Sequence, residues 1–246
     1  MNTYSDYTAS CLSPSLYKQP LEKTGLVVER DKTSEVQLGK HLRLALMRLL
    51  LNPSSSLCEK INAHLRILHQ RVMIGVQIRL GGQKANFVER EMMPADTVDQ
   101  AVSLIRAYMR KKKLQLNDVY IFVSSDSDFA IRKVRNAFKS QSQSHKGTTS
   151  IYVVNDYPIG HSAEAKIVRH KKKEWKAFTM RAIMDLLILK DSEYLIYSHK
   201  SSYGKFAHEL QLSYSLPIDF SPFLKQRGLN CSVFHERPIE RSSNYL

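Results

Sequence analysis

The sequence contains few cysteines and no long apolar run. Its three cysteines, Cys11, Cys58 and Cys231, are too few and too scattered for a disulfide framework or a zinc site. No stretch reaches about 18 uninterrupted apolar residues, so no transmembrane segment is expected. The first 20 residues are polar, so a secretory signal is not expected either, and the chain taken as complete would be cytoplasmic.

Glycine-rich signatures and internal repeats are also missing. The sequence has neither the glycine fingerprint of dinucleotide-binding folds nor a P-loop. The isolated histidines His161 and His208 have no companion at metal-ligand spacing, which favours structural or surface roles for both.

Positive charge and an ordinary hydrophobic content characterise what is present. Hydrophobic residues make up 43% of the chain, which is enough for a core. The 37 lysines and arginines exceed the 23 acidic residues by a net charge of +14. This balance favours an anionic partner such as a nucleotide, a nucleic acid or an acidic surface, although a solvated basic surface explains it equally well.

The clearest local pattern is an alternation of apolar and other residues over 72–80. Val72, Ile74 and the apolar residues that follow at every second position predict a strand with one aliphatic face. The other face carries Gly75, Gln77 and Arg79. A guanidinium at the end of a buried strand needs an anion or a polar partner.

Strands and helices alternate along the rest of the chain. Further strands are predicted at 119–123, 151–154 and 194–197, separated by helical patterns such as 165–190. Earlier helices are predicted at 41–51 and about 57–70, and a capping box of Thr97 and Gln100 is predicted to begin another. The pattern indicates an α/β fold, a Rossmann-like parallel sheet with helices on both faces. We divide it into a partly helical segment 1–70 and a Rossmann-like domain 71–246.

Ligands of such sheets bind beyond the carboxyl ends of the strands. Three pairs of polar residues fall there, and they are Gln77 with Arg79, Ser125 with Asp126, and Ser201 with Ser202. Arg79 could clamp a diphosphate with its planar fork of donors, and hydroxyls at a helix start could bind an anion.

Each of these residues also has a purely structural interpretation. Arg79 could pair with a surface carboxylate, and the serines and Asp126 could simply cap helices. Asp185, at the edge of a buried helical stripe, could form a salt bridge to Arg181 or Lys190. Alternatively, its carboxylate could accept two N–H groups from a guanine edge.

Three short motifs at these strand ends resemble those of the GDP-fucose-dependent fucosyltransferase superfamily. Residues 74–79 (IGVQIR) look like the first motif, 122–126 (FVSSD) like the second, and 185–187 with 198–204 (SHKSSYG) like the third. Many members have His at the position of Gln77 and Gly-Asp at 81–82, so this version is closer to plant xyloglucan-type α1,2-fucosyltransferases. Residues 51–53 and 231–235 resemble segments of that branch more weakly.

The resemblance implies an inverting, metal-independent transfer of fucose from GDP-fucose to a glycan or glycoprotein. It implies that the sheet is the donor-binding, C-terminal lobe of a GT-B-like fold. Arg79 would then bind the diphosphate, Gln77 would lie beside the nucleotide, and Asp185 would read guanine. The phosphate or ribose would be lined by Ser201, Ser202 and Tyr203. Apart from the resemblance, the position of Ser125 and Asp126 between a strand and a helix would allow them to hydrogen-bond to a nucleotide or a sugar.

Several features depart from this family. Only about 70 residues precede the first motif, and no anchor is present, although relatives are Golgi membrane proteins. No general base stands out, and Glu89 and Glu91 are the nearest carboxylates. The chain is therefore expected in the Golgi lumen if it belongs to a longer anchored product. The alternatives are an inactive donor-binding relative and a basic α/β module that binds nucleic acid.

Overall fold

A computed structural model describes residues 53–81, 83–84, 87–88, 91–139, 150–159, 172–213 and 242–245. All of them belong to one of the two units into which the chain divides, Asn52–Leu246. Several predictions concern residues outside these ranges. They are the helix at 41–51, the general-base candidate Glu89, the weak family match at 231–235 and most of the weak match at 51–53.

The described helices are α1 (Ser55–Leu68), α2 (Thr97–Lys111), α3 (Asp128–Lys139), α4 (Lys172–Leu189) and α5 (Ser202–Ser213). The described strands are β1 (Val72–Ile78), β2 (Gln83–Lys84), β3 (Phe87–Val88), β4 (Val119–Ser125), β5 (Ile151–Tyr152), β6 (Tyr194–Tyr197) and β7 (Ser242–Tyr245). A 3-10 turn at Leu116–Asp118 precedes β4.

Five of these strands form one parallel sheet in the order β5-β4-β1-β6-β7. β1 is therefore central, between β4 and β6. The short strands β2 and β3 pair antiparallel with each other in the segment after β1. The prediction of an α/β fold with a parallel sheet is confirmed.

Helices cover both faces of this sheet. The aliphatic face of β1 packs into a core with α2 and α3, as its alternation predicts. The opposite face is also buried, because α4 contacts β1 and β4, and α1 and α5 pack beside α4. Gly75 lets this second layer approach closely, since a Cβ atom there would lie 2.5 Å from the Ser192 Oγ.

Helix α1 belongs to this packed unit, although the sequence-based division assigned its residues to the N-terminal segment. Its apolar positions, four or three residues apart, place one stripe against the fold. Its buried Cys58 is disulfide-bonded, a cross-link typical of oxidising compartments.

The start of α2 differs from the prediction of a capping box. Asp96, not Thr97, occupies the N-cap position, and its side chain makes no capping hydrogen bond. Thr97 is the first helical residue and is fully buried. The predicted capping box was therefore wrong, and Thr97 is a buried first residue of the helix instead of its cap.

Candidate functional site

Three adjacent strands end side by side at one edge of the sheet. Ile78 of β1 is in register with Ser125 of β4, and Gln77 is in register with Tyr197 of β6. Arg79 and Ser198 directly follow two of these strand ends. The structure thus brings the first two predicted motifs and the start of the third together, as expected for parallel neighbours.

The backbone leaving β1 is held by side chains from both neighbouring strands. The Arg79 N–H donates to the Ser198 Oγ at 3.0 Å. The next two amides, of Leu80 and Gly81, donate to Asp126 Oδ1 at 3.1 Å and Oδ2 at 3.0 Å. Three consecutive amides therefore have acceptors contributed by residues after β4 and β6.

The Arg79 guanidinium lies beside Asp126. Its Nε is 3.5 Å from Asp126 Oδ2, and the Arg79 side chain keeps 17% of its surface exposed, against 3% for Asp126. Arg79 therefore pairs with a carboxylate, but this carboxylate is buried and is not at the surface as the structural interpretation had it. A cation that is partly accessible at the mouth of a parallel sheet can also meet an anionic ligand.

Ser125 links β4 to β1. Its Oγ donates to the Ile78 carbonyl at 2.8 Å and accepts the Ser127 N–H at 3.2 Å. This second bond is the helix-start role that was one of the two interpretations, because α3 begins at Asp128. Direct binding of a nucleotide or sugar by Ser125 stays a prediction.

Gln77 is buried under the first turn of α5. A Cβ atom built on Gly204 would lie 2.6 Å from Gln77 Oε1, so helix and side chain are in close contact. Gln77 is 3% exposed, and its Oε1 has no hydrogen-bond partner within the part of the chain that the structure describes. A place for Gln77 beside a nucleotide therefore stays a prediction.

Asp185 forms a buried ion pair with Arg181. Arg181 Nε donates to Asp185 Oδ1 at 2.8 Å, and the Ser124 Oγ donates to Oδ2 at 2.9 Å. Burial raises the pKa of Asp185 above its ordinary 3.8, and the nearby Arg181 charge opposes this increase. Of the two structural partners considered, Arg181 is the one observed. Guanine recognition by Asp185 stays a prediction, and Asp185 is only 4% exposed in this structure.

The third motif forms the beginning of α5. Ser201 caps the helix, because its Oγ accepts the Gly204 N–H at 3.2 Å. Ser202 is exposed at the first helical position, where backbone amides have no intrahelical acceptor. The Ser201 N–H donates to the Ser198 carbonyl at 2.8 Å, so this helix start is joined to the residue that holds Arg79.

Tyr203 points away from the helix start into the second layer. Its hydroxyl donates to the Ala182 carbonyl of α4 at 2.6 Å. Burial raises the pKa of the Tyr203 phenol well above its usual 10.0, and the Asp185 charge adds to the increase. Tyr203 is therefore a neutral donor that joins α4 to α5, and contact with a phosphate or ribose stays a prediction.

Ser198 and Ser124 are polar residues at this edge that sequence reasoning did not assign to the site. Ser198 is fully buried, and its N–H also donates to the Gln77 carbonyl at 3.1 Å. Its position one residue past a strand was the available signal.

A separate polar cluster joins α1 to β5 and the segment after it, where His64 Nδ1 lies 2.6 Å from the Tyr152 hydroxyl and His64 Nε2 lies 2.7 Å from Asp156 Oδ2. No spacing in the sequence pointed to this cluster.

Two further properties concern metals and membranes. Within the described ranges, no group of three or more His, Cys, Asp or Glu side chains is arranged to hold a metal ion. The same residues include no helix that is long and apolar enough to span a membrane.

No protein-family model matches the sequence, and no curated protein matches it. Among solved structures, the chain is similar to the α1,6-fucosyltransferase NodZ co-crystallized with GDP, with 18% identity over 63% of this chain and a TM-score of 0.37. A NodZ crystal soaked with GDP-fucose gives 19% identity over 64% and a TM-score of 0.37. NodZ from Bradyrhizobium gives 18% over 63% and a TM-score of 0.36. The match spans 41–42% of the NodZ chain, and a likeness at this level does not establish a family or an activity.

Proposed function

We propose that the chain binds the diphosphate of GDP-fucose and acts as an inverting, metal-independent fucosyltransferase, or as the donor-binding lobe of one. The observation that carries this proposal is Arg79 at the shared end of β1, β4 and β6, beside the start of α5. The motifs that resemble the fucosyltransferase superfamily lie at these same ends.

The proposed chemistry follows from the charge of the leaving group. As the bond between fucose and GDP breaks, the sugar becomes oxocarbenium-like and negative charge builds on the diphosphate. A guanidinium held in place stabilises that charge without the reorganisation that water needs. Arg79 would supply this stabilisation, and the free amides at the start of α5 would add to it.

The acceptor is proposed to be a glycan or glycoprotein, and the compartment the Golgi lumen if the chain belongs to a longer anchored product. Glu91 is exposed after the β2–β3 hairpin and remains a proposed source of the general base, as does Glu89. A screen for hydrolysis and transfer with GDP-sugars on the purified chain tests turnover. Binding of GDP with no turnover of any GDP-sugar would favour the inactive donor-binding relative.

The first prediction concerns the Arg79 guanidinium. Arg79→Ala should raise the Kd for GDP by about 10- to 100-fold, because a charge-assisted bond to phosphate contributes about 1.5–3 kcal/mol. Arg79→Lys should also weaken binding, since the bidentate fork is lost. Isothermal titration calorimetry measures both effects.

The matched control is Arg110→Ala. Arg110 is an exposed arginine in the last turn of α2, away from the strand ends where Arg79 lies. The Arg110→Ala substitution should leave GDP affinity unchanged. Equal GDP affinity for wild type and Arg79→Ala, or no binding to either protein, would remove the proposal.

The alternative function is a basic α/β module that binds nucleic acid. It is favoured by the net charge of +14 and by the exposed run Lys111, Lys112 and Lys113 at the end of α2. Cations at a helix C-terminus also complement its dipole, so the run has a structural explanation as well.

A further inference from the structure

We propose that Asp126 and Ser198 are positioning residues that fix the backbone from which Arg79 projects, and that Asp126 makes no contact with the nucleotide. This inference rests on the proposed role of Arg79 in diphosphate binding. It changes the expected role of Asp126 and adds Ser198, to which no role was assigned.

The first argument is the pattern of acceptors. Ser198 and Asp126 together accept the amides of three successive residues, Arg79, Leu80 and Gly81. The two acceptors lie on opposite sides of this segment. Ser198 is 119 residues after Arg79 in the sequence, and Asp126 is 46 residues after Leu80. The segment after β1 is therefore clamped between the two neighbouring strand ends.

The second argument concerns the chemistry of Asp126. Each of its carboxylate oxygens already accepts a backbone N–H, and Oδ2 also faces the Arg79 Nε. Its side chain is 3% exposed. A buried carboxylate with these donors is poorly placed to accept a ligand hydroxyl, and its charge would repel a phosphate. It can, however, hold a cation and two amides in one geometry.

The third argument concerns the effect on Arg79. The cost of ordering a flexible arginine is subtracted from the affinity that its phosphate contact provides. A guanidinium whose backbone and Nε are both held before binding loses less freedom when a diphosphate arrives. Supporting side chains that lock a binding residue in this way are a general requirement of precise sites.

The experiment combines amide exchange with nucleotide affinity. In Asp126→Asn at least one of the Leu80 and Gly81 amides should exchange about tenfold faster by NMR, because an Asn side chain offers only one acceptor oxygen for the two N–H groups. In Ser198→Ala the Arg79 amide should show the same change. Both variants should raise the Kd for GDP by about tenfold, and neither should weaken binding further in an Arg79→Ala background.

Two matched controls make equivalent changes at the opposite edge of the sheet. Asp118→Asn alters a carboxylate that accepts the Gln115 N–H at 2.7 Å, and Ser150→Ala removes a buried hydroxyl that donates to the Leu116 carbonyl at 2.8 Å. Both should leave the amides of 79–81 and GDP affinity unchanged, even where they lower overall stability.

The outcomes separate the inference from the function on which it rests. GDP binding that depends on Arg79 but not on Asp126 or Ser198 overturns the inference alone, as does unchanged amide exchange. A loss of affinity in Asp126→Asn that persists in the Arg79→Ala background would show that Asp126 contacts the ligand. Absence of GDP binding by the wild-type chain overturns the proposed function and the inference together.

Discussion

The most buried charges at this site lie in ion pairs, one across elements and one within a helix. Arg79 after β1 meets Asp126 after β4, and Arg181 meets Asp185 within α4. Arg181 also donates to the carbonyls of Val154 and Tyr157, so it anchors the segment after β5. An unpaired charge in such surroundings would be strongly unfavourable, which explains why each of these charges lies beside one of opposite sign.

The buried pair gives a prediction for stability. Asp185→Asn should lower the free energy of unfolding by about 3 kcal/mol at neutral pH, because Arg181 stays buried without its counter-charge. Chemical denaturation measures the change. The control is Asp99→Asn, since Asp99 pairs with Lys133 at an exposed position, where ion pairs contribute about 0–1 kcal/mol. Equal losses in the two variants would contradict the prediction.

The same variant also tests the role in guanine recognition. If Asp185 accepts N–H groups from guanine, Asp185→Asn should lose the preference for GDP over ADP. If the contacts with Arg181 and Ser124 persist in the complex, that preference should remain in folded protein. Calorimetric titrations with both nucleotides decide between the two roles.

At the scale of elements, α5 lies unusually close to β1 and β6. Gly204 permits this, because a Cβ atom there would meet Gln77 Oε1 at 2.6 Å and Tyr197 Cβ at 2.8 Å. Tyr203 joins the same turn to α4. The position of the helix start, and hence of its free amides relative to Arg79, depends on this contact.

Gly204→Ala should therefore destabilise the fold despite the better helix propensity of alanine. The propensity gain is up to about 1 kcal/mol, whereas overpacking against Gln77 and Tyr197 costs about 1–3 kcal/mol. Thermal or chemical denaturation measures the net loss. Lys205→Ala, at the next and exposed position, should be nearly neutral. A stabilised Gly204→Ala variant would show that α5 can move away from the sheet freely.

At the scale of the whole molecule, positive charge lies at the edge opposite Arg79. Helix α2 returns from the strand ends to the start of β4, and the exposed Lys111 at its end and Lys113 just after it lie there. An ordinary salt concentration screens exposed charges over about 10 Å, so this cluster should affect the proposed nucleotide site weakly.

A double charge reversal tests whether that cluster has a function. Lys111→Glu combined with Lys113→Glu should leave the Kd for GDP within about twofold of wild type, because of the screening. Fluorescence anisotropy with single-stranded and duplex RNA at several salt concentrations provides the comparison. The nucleic-acid module predicts an RNA affinity that falls steeply as salt is added and falls again in the double variant. If these results are observed and the protein does not bind GDP, the nucleic-acid module replaces the transferase proposal.

The sequence by itself determined the main elements and where polar residues follow strands. Apolar, β-branched runs predicted β1, β4 and β6 within one or two residues, because strand periodicity is local. Shorter or more polar strands were harder to predict. β5 is two residues long instead of four, and β7 was not predicted, since its sequence of Ser, Asn and Tyr carries no apolar run.

Only the tertiary structure decided which polar groups meet at those strand ends. Periodicity assigns a residue to a face of the sheet, but it does not say which neighbour comes from 46 or 119 residues further along the chain. Asp126 and Ser198 became partners of the Arg79 segment because β4 and β6 flank β1, and Asp185 paired with Arg181 because both are buried on one helix. The physical reason is that burial obliges each polar group to find a partner, and strand order determines which partners are within reach.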